Sequence, residues 1–215
     1  MGDHYFVFDL LHSIVIKMFM KKKNGRNGHI EFDGIVFEVI RRDVKYFRVE
    51  FSGQILRLIL PRFGNPNKII KENISRIKKK YSDYLKIIEK ADSFKFSDRD
   101  INAFNVIVKK YIKLYEEQLK VTVKIVKYRK MRRMWGNCRS NGVITLNKRL
   151  IKLPENIVSY IIYHELLHLN EKGGHSPRFR KKIKSKFPDH KRIESDLRSW
   201  FIKFEENIIK YGSGL

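Results

Sequence analysis

At 215 residues the chain is long enough to bury a core of its own, as one domain with an appendage or as two small lobes. Its 47 Lys+Arg against 23 Asp+Glu give a formal net charge of +24; such an excess attracts nucleic acid, nucleotides or acidic surfaces, carries no information about fold, and is also what a lysine-rich proteome would produce. A single cysteine, Cys138, excludes an internal disulfide and fits a reducing, cytoplasmic setting.

The chain opens on an apolar stretch, Tyr5 to Met20, broken by Asp9, His12 and Lys17 and followed by Lys21-Lys22-Lys23. It has no basic segment before it and falls short of the roughly 20 clean apolar residues of a membrane span, so residues 1–27 are predicted to be an apolar and basic extension without stable membrane insertion. A peripheral membrane contact is the other reading. Met18 and Met20 also leave open where translation starts, and so whether residues 1–17 belong to the protein.

From His29 the pattern turns to period two. Ile35–Ile40, Phe47–Phe51 and Ile55–Leu60 read as three strands, with Ser52-Gly53 as a turn, and predict an antiparallel meander with a basic, solvated face. Asn65-Pro66-Asn67 introduces a helix over about 68–90, and Phe96-Ser97-Asp98-Arg99-Asp100 reads as a cap leading into a second running to about Leu119. Their apolar stripes read as core. Residues 28–118 are thus expected to form a strand-and-helix portion that proposes no chemistry of its own.

Residues 119–215 do. Val121–Tyr128 and Gly142–Asn147 read as strands, joined by Met131–Ser140. Between Lys120 and Lys152 there are 11 Lys+Arg and no acidic residue. This block precedes the motif helix and is expected to border its cleft, where it would favour phosphate chains or a nucleic-acid backbone; a solvated strand face explains it equally well. Cys138 reads as a small buried hydrophobe or turn residue rather than a thiol near a metal.

Next comes the stretch Tyr163-His164-Glu165-Leu166-Leu167-His168-Leu169-Asn170-Glu171-Lys172-Gly173-Gly174-His175. Residues four apart share a helix face, so His164 and His168 can offer imidazole nitrogens to one ion, and Glu165 can reach a water on the remaining position. His175 supplies a third ligand after a glycine turn. Pro154-Glu155 reads as the helix entry, and the apolar residues from Ile157 to Leu169 predict a helix buried on most sides. Polar groups on such a helix need partners, and a metal provides one. The metzincin spacing is excluded, because three and six residues after His168 stand Glu171 and Gly174. Ser176-Pro177 then starts a short basic helix to about Phe187, and a last helix runs from about His190 to Tyr211. Glu194 or Asp196 is a candidate to orient a ligand imidazole, whereas His4, His12, His29 and His190 read as ordinary surface or helix residues.

Trp135-Gly136-Asn137-Cys138-Arg139-Ser140, then Gly142, Ile144, Leu146-Asn147, Leu150, Pro154, Tyr160, Ile162, His164-Glu165-Leu166, His168-Leu169, His175-Ser176 and Phe179 resemble the YgjP-like metal-dependent hydrolases. That family comprises compact gluzincin-like metallopeptidase domains, related to the SprT and WLM proteases that act on DNA-associated proteins. The resemblance is dense over residues 121–200 and looser before. It implies an α+β zincin-like domain, zinc (Zn2+) held by His164, His168 and His175, and Glu165 as general base. The sequence departs from the family at Asn137, where serine is common, at Arg180, where an aromatic is common, and in a His168–His175 interval one residue longer than usual.

The reading that follows is a zinc-dependent hydrolase of metallopeptidase type, with a metal-activated water and Glu165 as base attacking a peptide bond. A peptide substrate could pair with the Val143–Leu146 strand. Trp135, Arg139 and Asn147 are the candidate substrate contacts, with core as the alternative for Trp135 and turn fixing for Asn147. Two other functions stay open: a nucleoside triphosphate pyrophosphatase using the same metal, and a nucleic-acid-associated binding module or DNA-linked protease working through the basic surface. Oligomeric state, native metal and the choice between peptide and nucleotide are not encoded in any pattern of the chain.

Overall fold

The computed structural model describes residues 28–52, 55–131, 134–171 and 174–211. The extension expected over 1–27, with His4 and His12, lies outside them, as do Arg132, Arg133, Lys172 and Gly173. Among the described residues the secondary structure is α+β, with two small sheets and five α-helices. None of those helices is long and apolar enough to cross a membrane. The chain forms two compact units that divide between Lys86 and Ile87, within a helix spanning Pro66–Ser93 (α1).

The first unit is a four-stranded sheet of β1 (Gly28–Phe32), β2 (Ile35–Arg42), β3 (Arg48–Ser52) and β4 (Ile55–Pro61) in the order β1-β2-β4-β3. It is not the antiparallel meander expected from alternation. β2 and β4 are parallel neighbours, and β3 lies at the edge, antiparallel to β4. The physical reason is the burial each strand demands. Leu56, Leu58, Ile59 and Leu60 have at most 1% of their surface exposed, which suits a central strand, whereas Arg48 and Glu50 of β3 pair with each other at 3.0 Å in the open. Glu38 and Arg57 face one another across the parallel pair and meet at 2.8 Å. Phe37, Val39, Leu56, Leu58 and Leu60 pack with Ile70 and Ile77 of α1, whose start is capped by the Asn65 side chain accepting from the Lys68 amide.

The second unit contains α2 (Ile101–Leu119), which packs with the motif helix. Its apolar stripe of Phe104, Val108, Ile112, Tyr115 and Leu119 belongs to the larger core cluster. Asp100 caps it, accepting from the Ala103 amide at 2.8 Å. Three strands follow, β5 (Ile125–Arg129), β6 (Gly136–Cys138) and β7 (Val143–Asn147), in the order β5-β7-β6. β5 begins at Ile125 and not at Val121, because the backbone before it is committed elsewhere. The Val121 amide donates to the Glu116 carbonyl and the Val123 amide to the Glu116 carboxylate. β7 is the central strand, bonded on both sides, so the Val143–Leu146 stretch has no edge to offer an added peptide strand. A 3-10 turn, Lys148–Lys152, leads into α3 (Glu155–Asn170), α4 (Pro177–Lys186) and α5 (His190–Tyr211). Trp200 and Phe204 of α5 complete the core against Phe94 and Phe96.

Candidate metal centre

Helix α3 carries the first two histidines and is packed so that it cannot rotate. Every residue from Ile157 to Tyr163 is buried, as are Glu165, Leu166 and Leu167. Three polar ties to α2 fix its register: the Tyr111 hydroxyl donates to Glu155 at 2.9 Å, the Tyr115 and Ser159 hydroxyls meet at 2.6 Å, and the Asn170 amide donates to the Leu119 carbonyl at 2.8 Å. A buried helix tied to its neighbour through polar side chains is a rigid mount for side chains on its remaining face.

That face presents His164 and His168, both half-buried, and the exposed His175 completes a triangle with them. Ring centroids are 5.1 Å apart for His164 and His168 and 5.0 Å for each pair that includes His175. One ligand nitrogen from each lies within 4.8 Å of the others. For His164 and His175 the two Nε2 atoms are 3.0 Å apart, close to the separation of about 3.3 Å that two zinc–nitrogen bonds of about 2.0 Å make at a tetrahedral angle. Burial, then the neighbouring His168 and His175, push the His164 imidazole down to about 4; burial and then His175 lower His168. Both are therefore neutral near pH 7, with lone pairs free to ligate. Three converging imidazoles, with the two on α3 neutral, fit a divalent cation.

The third histidine is held by the start of α4. Ser176 caps this helix, accepting from the Phe179 amide at 3.1 Å, with Pro177 at its first position. The Arg180 side chain donates through Nε to the His175 carbonyl at 3.0 Å. Phe179, fully buried, packs its ring against all three imidazoles, with centroids 5.1, 4.7 and 5.0 Å from His164, His168 and His175. Glu171, just past α3, is buried and ion-paired to Lys182 at 2.6 Å and Arg178 at 3.1 Å, both on α4. The end of α3 and the start of α4, which carry or flank the histidines, are thus fastened to each other.

Glu165 is 8% exposed and lies against β6. Gly136 of that strand has no side chain where one would intrude: a Cβ there would lie 2.7 Å from Glu165 Cγ and 2.8 Å from Oε1. Burial pushes the Glu165 carboxyl up to about 7, the range in which a carboxyl can both accept and return a proton near neutral pH. Cys138, two residues along β6, is half-buried; burial and then the Glu165 charge push its thiol up to about 11. It is a protonated thiol, consistent with a packing residue.

The remaining sequence candidates fall in different places. Trp135 is 7% exposed and packs at a tilt against Phe201 and Phe204, with centroids 4.1 and 6.1 Å away, as part of the core. Asn147 has no exposed surface. Its amide donates to the Met131 and Met134 carbonyls at 2.8 and 2.7 Å and its oxygen accepts from the Arg149 amide, so the side chain is consumed in fixing the loop before β6. Arg139 is exposed in the β6–β7 turn, where its backbone bonds Val143 and Gly142. Neither Glu194 nor Asp196 reaches a histidine: Glu194 accepts from the Tyr160 hydroxyl at 2.8 Å, and Asp196 pairs with Lys90. Within the basic block Lys124, Lys127, Arg129 and Lys130 are exposed, but Arg149 is buried over the Phe204 ring. His190, read as an ordinary helix residue, instead lines a cavity with His164 and His175. No spacing could have signalled it, because the chain returns to the histidines only through the packing of α5.

A family model described as YgjP-like, metallopeptidase domain, matches residues 47–200, more than half of the chain. The chain belongs to that YgjP-like metallopeptidase-domain family, which makes it a metal-dependent hydrolase of the metallopeptidase type and implies a divalent metal. Among solved structures it is similar to the metallopeptidase zymogen abylysin of Pyrococcus abyssi, at 24% identity over 48% of this chain and 94% of that one, with a TM-score of 0.35. It is also similar to the metallopeptidase zymogen jannalysin of Methanocaldococcus jannaschii, at 20% identity over 47% of this chain and 89% of that one, with a TM-score of 0.38. No curated protein matches the chain.

Proposed function

We propose that the protein is a zinc-dependent peptidase in which His164, His168 and His175 hold the metal and Glu165 is the general base. The observation that carries this reading is the convergence of three imidazoles next to a buried carboxyl of raised pKa. Three nitrogen ligands leave a four-coordinate ion one open position, as catalytic rather than structural zinc sites do. Bound there, zinc would supply a Lewis acid that polarises a carbonyl and acidifies water. Glu165 takes the proton of the attacking water and returns it to the leaving amine, and the close approach of Gly136 fixes where its carboxylate can stand. Phe179 covers the apolar side of the imidazoles and limits their motion.

The test compares zinc-loaded wild type with Glu165→Gln on an unstructured protein substrate such as casein. Equal zinc content with hydrolysis by wild type alone supports the assignment. Parallel assays of pyrophosphate release from the four ribonucleoside triphosphates separate it from nucleotide hydrolysis, which would use the same side chains.

A further inference from the structure

Beside the histidines lies a cavity of about 340 Å³ between α4 and α5. Its floor is apolar, made by Phe179 and Ile183, which are almost fully buried. Its rim is cationic, with Arg180 from α4 and Lys191 from α5. Among the described residues neither cation has an acidic partner. Arg180 spends its Nε on the His175 carbonyl, which holds the guanidinium at the mouth and leaves its remaining N–H groups for a ligand. The one carboxylate in the lining, Glu194, is drawn toward the α3 wall by the Tyr160 hydroxyl at 2.8 Å. Helix α5 begins at His190, on the lining, so the positive end of its dipole adds to the field.

We infer that this cavity is a specificity subsite for a substrate carboxylate, either an acidic side chain next to the cleaved bond or the carboxyl terminus of a peptide. An apolar floor under two unpaired cations suits a short aliphatic stem that ends in a carboxylate, and a basic side chain would meet like charge at the rim. The inference rests on the peptidase reading for its substrate class, and its test reads binding rather than turnover.

Fluorescein-labelled alanine-based pentapeptides carrying a central Glu, Gln or Lys, each with a free or an amidated C-terminus, are titrated by anisotropy into the zinc-loaded full-length Glu165→Gln protein. The expected result is about tenfold tighter binding of a carboxylate-bearing peptide than of its neutral counterpart. Glu against Gln reports the side-chain source, and free against amidated ends the terminal one. Lys191→Gln, which leaves the Arg180–His175 bond in place, should reduce the preference with zinc content unchanged, and adding Arg180→Gln should abolish it. Equal binding of all peptides, no saturable binding at millimolar peptide, or a preference that survives the double variant overturns the inference. Absence of casein hydrolysis by the zinc-loaded wild type, with the carboxylate preference intact, would instead count against the peptidase reading alone.

Discussion

Gly136 and Glu165 are in contact across the β6–α3 interface so closely that the glycine's missing side chain defines the space the carboxylate occupies. A Cβ at position 136 would stand 2.7 to 2.9 Å from Cγ, Oε1 and Cδ of Glu165. Gly136→Ala must therefore displace the carboxylate or the strand. With the histidines untouched, the variant should bind zinc as wild type does and lose roughly a hundredfold in kcat/KM, the usual consequence of about 1 Å of misplacement. A calorimetric zinc titration beside a peptidase assay checks both halves, and activity near wild type would show that the contact does not position Glu165.

Phe179 makes a prediction of the opposite kind. Its ring touches all three imidazoles from a fully buried site. Phe179→Ala should cost about 3–5 kcal/mol of stability and weaken zinc binding, because the rings lose the surface that holds them together. Phe179→Leu should recover most of the stability and less of the zinc affinity. Chemical denaturation and competition with a chromogenic chelator separate the two effects.

Glu171 ties the end of α3 to Lys182 and Arg178 of α4. Removing it leaves two cations facing each other beside the turn that carries His175. Glu171→Ala should lower stability by roughly 2 kcal/mol and speed zinc release to a chelator. Lys182→Met should be milder, since Arg178 still reaches the carboxylate. Stopped-flow release rates for the two variants test that order.

The pH dependence of Cys138 follows from its burial. A thiol raised to about 11 in the folded chain, above its ordinary 9.0, favours the protonated form. Its contribution to stability is complete below pH 9 and is lost as pH rises through 11. The reactive thiolate is correspondingly scarce at neutral pH. Alkylation of the folded protein by iodoacetamide should keep rising to about pH 11, while the urea-unfolded chain is half-maximal near 9 and levels off above it. Coincident profiles would contradict the buried placement.

The helices were legible because their signals are local. Asp100 caps α2 and Ser176-Pro177 starts α4 where those residue types predict, and the four-residue interval of His164 and His168 fixes their common face. Strand order was not legible from alternation, which gives each strand two faces but no neighbours. The dense apolar character of Ile55–Leu60, broken only by Arg57, did hold the information that β4 is central. Position 147 shows the same limit in a single side chain. An asparagine at a strand end can contact substrate or fix a loop, and only the carbonyls of Met131 and Met134 decide. The closeness of Gly136 to Glu165, the aromatic backing by Phe179 and the return of His190 to the histidines are products of packing between distant segments, and no interval in the sequence encodes them.

The central claim is that Glu165 works as a base beside a metal held by three histidines. Its most direct test is casein hydrolysis by zinc-loaded wild type, Glu165→Gln and His168→Ala at matched protein concentration, with zinc content measured on the same samples. The account predicts hydrolysis by wild type alone, full zinc in Glu165→Gln and depleted zinc in His168→Ala. Hydrolysis by Glu165→Gln at the wild-type rate, or full zinc in His168→Ala, would contradict it.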